Sequence, residues 1–376
     1  MTSTPTVKSV IQETKSAGGI MLSASHNPVE WNALKFIGKK GFFFQQKEID
    51  AFREALTKEL PKATYAPKSK FSSGEEFEVL HIESILKQVN ASAIRKKKYT
   101  VLVDAVNGGG SFIVPRLLKQ LGCKVIEIHC QPNGKFPRPP EPTLASLKKT
   151  SKLMRDSDAD IGFALDPDAD RLVVLTPTSG ALSEEYTLPI AIHSPLLQPI
   201  RKKFAVINLS TSFLLQTVLD RYGKDLLRSK VGEANVVKMM QEKKAFFGGE
   251  GNGGVIDPKI SSFGRDALAG IAHILNCLTQ KKQTIDQLVQ TLPEIYMQKT
   301  SFPIQGQNLA HLYEAFQLQF SSGDFDTRDG LRIDLQNKWI HLRPSNTEPI
   351  VRVIAEAKSK ADLKSLLQKA SEIVLG

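Results

Sequence analysis

Short apolar runs alternate with stretches of helical periodicity along most of the chain, and their order predicts an α/β protein assembled from several units. Near the N-terminus, Ile20 to Leu22 reads as a short buried strand and Ile49 to Leu60 as an amphipathic helix. Pro61 to Ser73 is polar and turn-rich, and Glu75 to Ser92 returns to helical periodicity. A new unit then opens with a strand from Thr100 to Val103 that ends at Asp104. A glycine-rich turn to Gly110, a helix from Phe112 to Leu121 and a strand from Lys124 to Ile128 complete a βαβ grammar. Pro137 to Pro142 is a stiff loop, and Ile161 to Leu165 is a further buried strand. The pattern repeats from Phe204 with strand Ala205 to Asn208, helix Phe213 to Tyr222, strand Leu227 to Val231 and helix Ala234 to Lys243. The last part, from about Thr300, places strands at Leu331 to Leu335, Trp339 to Leu342 and Ile350 to Ala357 before a helix from Ala361 to Ile373, a small α+β domain.

Composition narrows the class. A chain of 376 residues is too long for one ordinary domain, so two to four are expected. A hydrophobic content of 41% with 24% charged residues describes a globular, enzyme-like protein and excludes disordered or fibrous classes. No apolar run approaches the roughly 20 residues that cross a bilayer. Met1 to Lys15 has no apolar segment of the secretory type, so a cytoplasmic location is expected. Cys123, Cys130 and Cys277 form no CxxC pair and read as small buried hydrophobes. The net charge of +11 suits an anionic small substrate as readily as nucleic acid or a membrane surface. The densest basic runs, Arg95 to Lys98 and Arg201 to Lys203, lack interleaved aromatics and each precedes a strand. They read as solvated linkers, so neither a nucleic-acid nor a membrane partner is expected.

Four loops carry the candidate chemistry. Ser23-Ala24-Ser25-His26-Asn27-Pro28 follows the first strand. Its hydroxyl, imidazole and carboxamide can face a phosphoryl group, with Lys35 returning as a cation; a capped turn of Ser/Thr type is the plainer alternative. Asp166-Pro167-Asp168-Ala169-Asp170-Arg171 brings three carboxylates to one strand end, where they repel one another unless a hard cation, best Mg²⁺, compensates. It is no EF-hand, because Arg171 stands where that loop needs glycine and Pro177 where it needs a bidentate glutamate. Phe246 to Ile256 matches GxGxxG at Gly249, Gly251 and Gly254, yet Val255 and Ile256 continue as strand and not as a helix, so a dinucleotide site is not expected. An arch presenting Glu250 and Asn252 to a polyhydroxyl ligand, or a plain glycine-rich hairpin, fits better. Finally, Arg343-Pro344-Ser345-Asn346-Thr347-Glu348-Pro349 collects a guanidinium, two hydroxyls and a carboxamide that can hold a phosphate, with Arg352 as a second cation.

Together, and in this order, these loops resemble the signatures of the α-D-phosphohexomutase family: S/T-A-S-H-N-P, D-x-D-x-D-R, the glycine-rich sugar loop and R-x-S-[GN]-T-E-P. The resemblance covers essentially the whole chain. It implies four domains around a central cleft, three similar mixed α/β units and a C-terminal α+β unit, at 1–95, 96–198, 199–298 and 299–376. It also implies a phosphoserine at Ser25, with Asp166, Asp168, Asp170 and a Ser25 phosphoryl oxygen around Mg²⁺, and His26, Lys35 and Arg171 beside the transferred group. Glu250 and Asn252 would grip sugar hydroxyls, and Arg343, Ser345, Asn346, Thr347 and Arg352 the non-reacting phosphate. The implied reaction moves a phosphoryl group between the 1- and 6-positions of a hexose phosphate through a hexose bisphosphate. The loop wording is most similar to the archaeal type of phosphoglucosamine mutase, with phosphomannomutase or phosphoglucomutase activity as alternatives. A Mg²⁺-dependent phosphosugar hydrolase or an impaired phosphosugar-binding remnant remain as readings from other classes. Two departures stand out: relatives carry a segment before the equivalent of Thr4 to Thr6, so the first domain is expected to be incomplete, and Gly254 stands where some carry His.

Overall fold

The computed structural model describes residues 1–25, 27, 30–58, 74–304, 308–345 and 349–375. The expected site residues His26, Asn346 and Thr347, and the whole of the polar connection at 61–73, lie outside the described residues.

The first unit opens with a helix that the pattern did not announce, α1 (Thr4–Glu13). Ser3 caps it by accepting from Thr6 N at 3.2 Å, and Pro5 occupies the first turn, where a missing N–H costs nothing. Strand β1 (Gly18–Leu22) pairs antiparallel with β2 (Leu34–Gly38) in a ribbon of two strands. Helix α1 covers one face of the ribbon, and it is glycine that permits the approach, because a Cβ at Gly19 would meet Ile11 Cδ1 at 2.6 Å; on the other face Phe36 packs on Phe44 and on Phe52. The expected buried strand is therefore half wrong: Ile20 and Leu22 stand 59% and 67% exposed on the other face. Helix α2 (Gln46–Leu56) begins and ends earlier than expected.

The helical stretch expected from Glu75 to Ser92 is broken into α3 (Glu78–Leu86) and α4 (Ala91–Lys97). Asn90 interrupts it by accepting from Ala93 N at 3.0 Å as the cap of α4. Arg95 to Lys97 are accordingly not linker but the last turn of a helix, where cations offset the negative end of the dipole.

The second unit follows the predicted grammar: β3 (Thr100–Asp104), α5 (Gly110–Gln120), β4 (Lys124–Ile128), α6 (Lys148–Arg155), β5 (Ile161–Leu165), β6 (Leu172–Thr176) and β7 (Gly180–Ala181). The strand order is β4-β3-β5-β6-β7, with β3 parallel to both neighbours and β5 antiparallel to β6. Every residue of β5 and β6 is buried, as expected of strands covered on both faces.

Two short helices, α7 (Thr187–Ala191) and α8 (His193–Leu196), lead to the third unit: β8 (Phe204–Asn208), α9 (Leu214–Asp220), β9 (Asp225–Ser229), α10 (Glu233–Glu242), β10 (Phe247–Glu250) and β11 (Gly254–Ile256). Its order is β11-β10-β8-β9, parallel except for the β10–β11 hairpin that contains the glycine-rich loop. Helix α11 (Ala267–Lys281), another element the pattern did not announce, is buried from Ala267 to Thr279 and joins the cores of the second and third units. Its buried polar side chains are paired there, His273 with Asp257 and Ser194, and Asn276 Nδ2 donating to Ser194 Oγ.

After α12 (Ile285–Gln290), the last unit holds β12 (Tyr296–Pro303), α13 (Leu309–Gln319), β13 (Asp324–Asp326), β14 (Leu331–Leu335), β15 (Lys338–Pro344), β16 (Ile350–Ala357) and α14 (Lys360–Leu375). Its antiparallel sheet runs β12-β16-β15-β14-β13. Buried Glu356 docks it on the third unit by accepting from Ser212 Oγ and from Phe213 N at 3.0 Å. The architecture is thus mixed α/β in the first three units and α+β in the fourth. Among the described residues no helix is long and apolar enough to cross a membrane.

One buried carboxylate braces the end of β5 through Arg138. Asp104, at the end of β3, accepts from Arg138 Nε at 2.9 Å, Thr150 Oγ1 at 2.6 Å and Val106 N at 3.0 Å, while Arg138 reaches the Leu165 carbonyl at 2.7 Å. Burial alone would raise its pKa, but His129, Arg138 and Thr150 outweigh it and hold the carboxyl at about 2 against an ordinary 3.8. The folded carboxyl therefore binds its proton less readily than the unfolded one. Its contribution, about 2 kcal/mol, is complete above pH ~4 and disappears as the pH falls through ~2. Asp104→Asn is expected to lower the free energy of unfolding by that order at neutral pH, with the gap from the parent closing in acid. A gap in denaturant titrations that stays constant down to pH ~2 would exclude this role.

Candidate active site

Strand β5 ends at Asp166, and the next residues curl around that side chain. Asp166 Oδ1 accepts from the backbone N–H of Asp170 and of Arg171, both at 3.1 Å, and Ala169 takes a left-handed φ of 55° to close the turn. The β3–α5 turn braces the loop from below, with Gly109 N donating to Pro167 O at 2.6 Å. Gly108 lies so close to Pro167 that a Cβ there would collide with its backbone. Asp166, Asp168 and Asp170 are all buried, and one oxygen from each lies within 4.8 Å of the others.

Each carboxylate has one oxygen tied down and one turned inward. Asp166 Oδ1 holds the two backbone N–H groups. Asp168 Oδ2 accepts from Lys35 Nζ at 2.5 Å and from Thr4 Oγ1 at 2.6 Å. Asp170 Oδ2 accepts from Arg265 Nη2 at 2.6 Å. That leaves Asp166 Oδ2, Asp168 Oδ1 and Asp170 Oδ1. Ser25 Oγ donates across the first two, at 3.4 and 3.0 Å, whereas Asp170 Oδ1 is buried with no hydrogen-bond partner among the described residues. Three inward oxygens, one of them unsatisfied, fit a small divalent cation that takes single oxygens from several carboxylates.

The electrostatics agree with that fit. Burial and the neighbouring carboxylates, Asp170 foremost, push Asp166 well above the usual carboxylate range; burial also raises Asp170, with Arg265 opposing. Burial would raise Asp168 as well, but Lys35 and Thr4 hold it low. Lys35 itself is pushed down by burial and up, more strongly, by Asp168, Asp170 and Asp166, which keeps it a cation at neutral pH. A cluster in which two of three acids resist ionisation has room for more positive charge.

Ser25 reaches this cluster because β1 ends at Leu22 and the chain turns, with Ser25 in the left-handed region at φ 54° and its N–H donating to Ser23 Oγ at 3.0 Å. Arg171, 9% exposed, points to Glu141 Oε1 at 2.8 Å, with its Nε 3.8 Å from Asp170 Oδ1.

Of the expected sugar and phosphate residues, Glu250, Asn252, Arg343 and Arg352 line a second region, a cavity of about 650 Å³ that Lys299 also borders. The glycine-rich loop proves to be a hairpin tip, and both oxygens of Glu250 already have protein partners. Oε1 accepts from Asn208 Nδ2 at 2.7 Å and Gly232 N at 3.0 Å, and Oε2 lies 3.1 Å from Arg265 Nη1. Asn252, which lines the cavity, closes the tip with Oδ1 accepting from Gly254 N at 3.2 Å. Arg343 and Arg352 stand directly opposite each other on β15 and β16, a like-charge pair that destabilises a sheet unless anions compensate. Asp329 Oδ1, 3.0 Å from Arg343 Nε, supplies part of that compensation. Ser345, at the end of β15, anchors its loop by donating its N–H to Ile350 O at 2.9 Å.

Several residues of this region carry no local signal in the sequence. Thr4 comes to Asp168 from 164 residues away and Arg265 to Asp170 from 95. Lys299 lies 2.7 Å from Glu184 and 3.4 Å from Glu185, and burial raises the Glu185 carboxyl to about 8. His341, lowered to about 4 by burial, sits neutral between Ser210 Oγ and Asp329 O at 2.9 and 2.7 Å.

Comparison with known proteins follows the same four parts. Family models described as phosphoglucomutase/phosphomannomutase match the chain throughout: alpha/beta/alpha domain I at residues 1–62, domain II at 80–180, domain III at 185–296 and the C-terminal domain at 275–373. A phosphoglucomutase/phosphomannomutase of Thermococcus kodakarensis is 32% identical over 97% of this chain and 80% of its own length. The phosphoglucosamine mutase of Methanocaldococcus jannaschii is 31% identical over 95% and 80%. Among solved structures, a phosphoglucomutase/phosphomannomutase family protein of Burkholderia thailandensis superposes with a TM-score of 0.80 at 22% identity, over 99% of this chain and 81% of that one. The N-acetylphosphoglucosamine mutase of Aspergillus fumigatus, solved with GlcNAc-6P and magnesium, shares the fold at a TM-score of 0.63 and 16% identity, over 99% and 92%. The chain belongs to the phosphoglucomutase/phosphomannomutase family, whose members are isomerases that move a phosphoryl group on a hexose.

Proposed function

We propose that this chain interconverts glucosamine 6-phosphate and glucosamine 1-phosphate through a phosphoserine at Ser25 and a bisphosphorylated sugar. The carrying observation is the seat of Ser25 Oγ on two of the three inward carboxylate oxygens. A serine hydroxyl alone is a poor phosphoryl carrier. One held beside a divalent-cation site and Lys35 is placed where the charge of a transferring phosphoryl group develops. Asp166, Asp168 and Asp170 would hold Mg²⁺, which supplies charge neutralisation at the transferring oxygens. Lys35 adds a fixed positive charge, and Ser25 gives its phosphoryl to the free sugar hydroxyl and then accepts the other one back.

The second region supplies the grip that lets the sugar bind in either orientation. Arg343 and Arg352 would take the phosphate that is not reacting, Ser345 its edge, and Asn252 and Glu250 the sugar hydroxyls. The preference for glucosamine rests on the archaeal phosphoglucosamine mutases among the relatives. Conversion followed by ³¹P NMR tests the reading: a 1-phosphate signal growing at the expense of the 6-phosphate supports it, and release of inorganic phosphate alone overturns it.

Arg343→Met is expected to raise KM about 10- to 100-fold, the worth of a charge-assisted hydrogen bond, with a much smaller change in kcat. The contact serves ground state and transition state alike, so its loss is uniform binding. A fall in kcat at constant KM would place Arg343 at the chemical step instead.

A further inference from the structure

Among the described residues, Arg265 is the one side chain that forms ion pairs with both the aspartate loop and the glycine-rich loop. Its Nη2 donates to Asp170 Oδ2 at 2.6 Å, its Nη1 lies 3.1 Å from Glu250 Oε2, and its Nε donates to Glu233 Oε2 at 3.2 Å. Its backbone N–H donates to the same Glu233 oxygen at 3.3 Å, and Glu233 is fixed from its other side by buried Lys8 at 2.5 Å. The guanidinium is 14% exposed, and its stem crosses Gly254, where a Cβ would collide with Arg265 Cγ and Cδ. Three carboxylates around one planar fork leave the group a single orientation.

That orientation decides what Asp170 can offer. A carboxylate can bind a cation through one oxygen or through both, and Ca²⁺ accepts both readily, whereas Mg²⁺ demands near-octahedral single-oxygen ligation. Asp166 and Asp168 are each restricted to one oxygen, by backbone N–H groups and by Thr4 with Lys35. Among the described residues, only Arg265 imposes the same restriction on Asp170. We propose that Arg265 is a positioning residue that sets the cation selectivity of the aspartate loop, holding Asp170 Oδ2 so that Oδ1 alone faces the site. The small six-coordinate ion is thereby favoured over the larger one. Because the same fork holds Glu250, the restriction is anchored on the sugar-facing hairpin and not within the aspartate loop.

This inference rests on the reading that the three aspartates hold a divalent cation, and the test separates the two. Mn²⁺ is bound to the chelator-stripped full chain without sugar phosphate, and its displacement by Mg²⁺ or Ca²⁺ is followed by electron paramagnetic resonance. The parent is expected to prefer Mg²⁺. In Arg265→Met, which frees Asp170 Oδ2, the ratio of Ca²⁺ to Mg²⁺ affinity should rise about tenfold, the usual reach of a residue that orients a metal ligand. Gly254→Ala displaces the Arg265 stem without altering any carboxylate or charge, and should move the ratio in the same direction; it carries the test if Arg265→Met does not fold. A ratio within twofold of the parent in the folded variants overturns the proposal. Failure of the parent to bind Mn²⁺ overturns the cation reading itself and this inference with it.

Discussion

Ser25→Ala is expected to abolish interconversion, with kcat lower by roughly 10⁴-fold or more, the scale at which loss of a nucleophile removes a covalent pathway. The same change should remove a covalently bound phosphoryl group that intact mass finds on at least part of the parent protein. The two readouts are linked by geometry. Ser25 Oγ is the only hydroxyl among the described residues that donates to two of the inward oxygens of the aspartate loop, because the chain after β1 turns it there through a left-handed φ of 54°. Neighbouring Ser23 serves that turn by accepting from Ser25 N, so it is a built-in comparison. Ser23→Ala should weaken the turn and reduce turnover modestly while leaving the phosphoryl group in place. Phosphate that persists in Ser25→Ala, or maps to another residue in the parent, would assign the nucleophile elsewhere.

The chemistry was legible in the sequence where it is local. Asp166, Asp168 and Asp170 stand at alternate positions of one turn, and the structure brings all three together; the strands on either side of them, β5 and β6, are apolar runs with both faces covered. What holds those carboxylates in place was not legible. Thr4 and Arg265 act across distances in sequence that no spacing rule spans, and neither residue type singles itself out. Three of the places where the periodicity failed have distinct physical reasons. Helix α11 is buried along nearly its whole length, His273 and Asn276 included, so no solvent-facing polar stripe marks it in the sequence. Strand β1 belongs to a ribbon of two strands, so its apolar residues alternate between the α1 face and solvent and not between two buried faces. The α3–α4 break turns on one side-chain cap at Asn90 inside an otherwise continuous helical pattern, a signal that was present but outweighed.

Asp168→Asn is expected to lower kcat by about 10²- to 10³-fold while leaving the fold intact, and its two effects should come apart when cation is removed. Asp168 is the carboxylate of the loop on which most side-chain contacts meet, with Lys35 and Thr4 on one oxygen and Ser25 on the other. Lys35 holds it ionised, so the substitution removes a full charge from the site while preserving volume. In chelator, that removal relieves repulsion among three buried acids, two of which already resist ionisation. It also loosens Lys35, which is 20% exposed and retains Asp166 and Asp170 nearby. The melting temperature without cation should therefore stay close to that of the parent. With saturating Mg²⁺ the parent should gain stability by mass action, and Asp168→Asn should lose most of that gain because one inward oxygen becomes a neutral amide with far weaker affinity for a hard cation. A variant that melts well below the parent in chelator would make Asp168 a folding residue first. One that keeps both its turnover and its Mg²⁺-dependent rise would remove the aspartate loop from the mechanism.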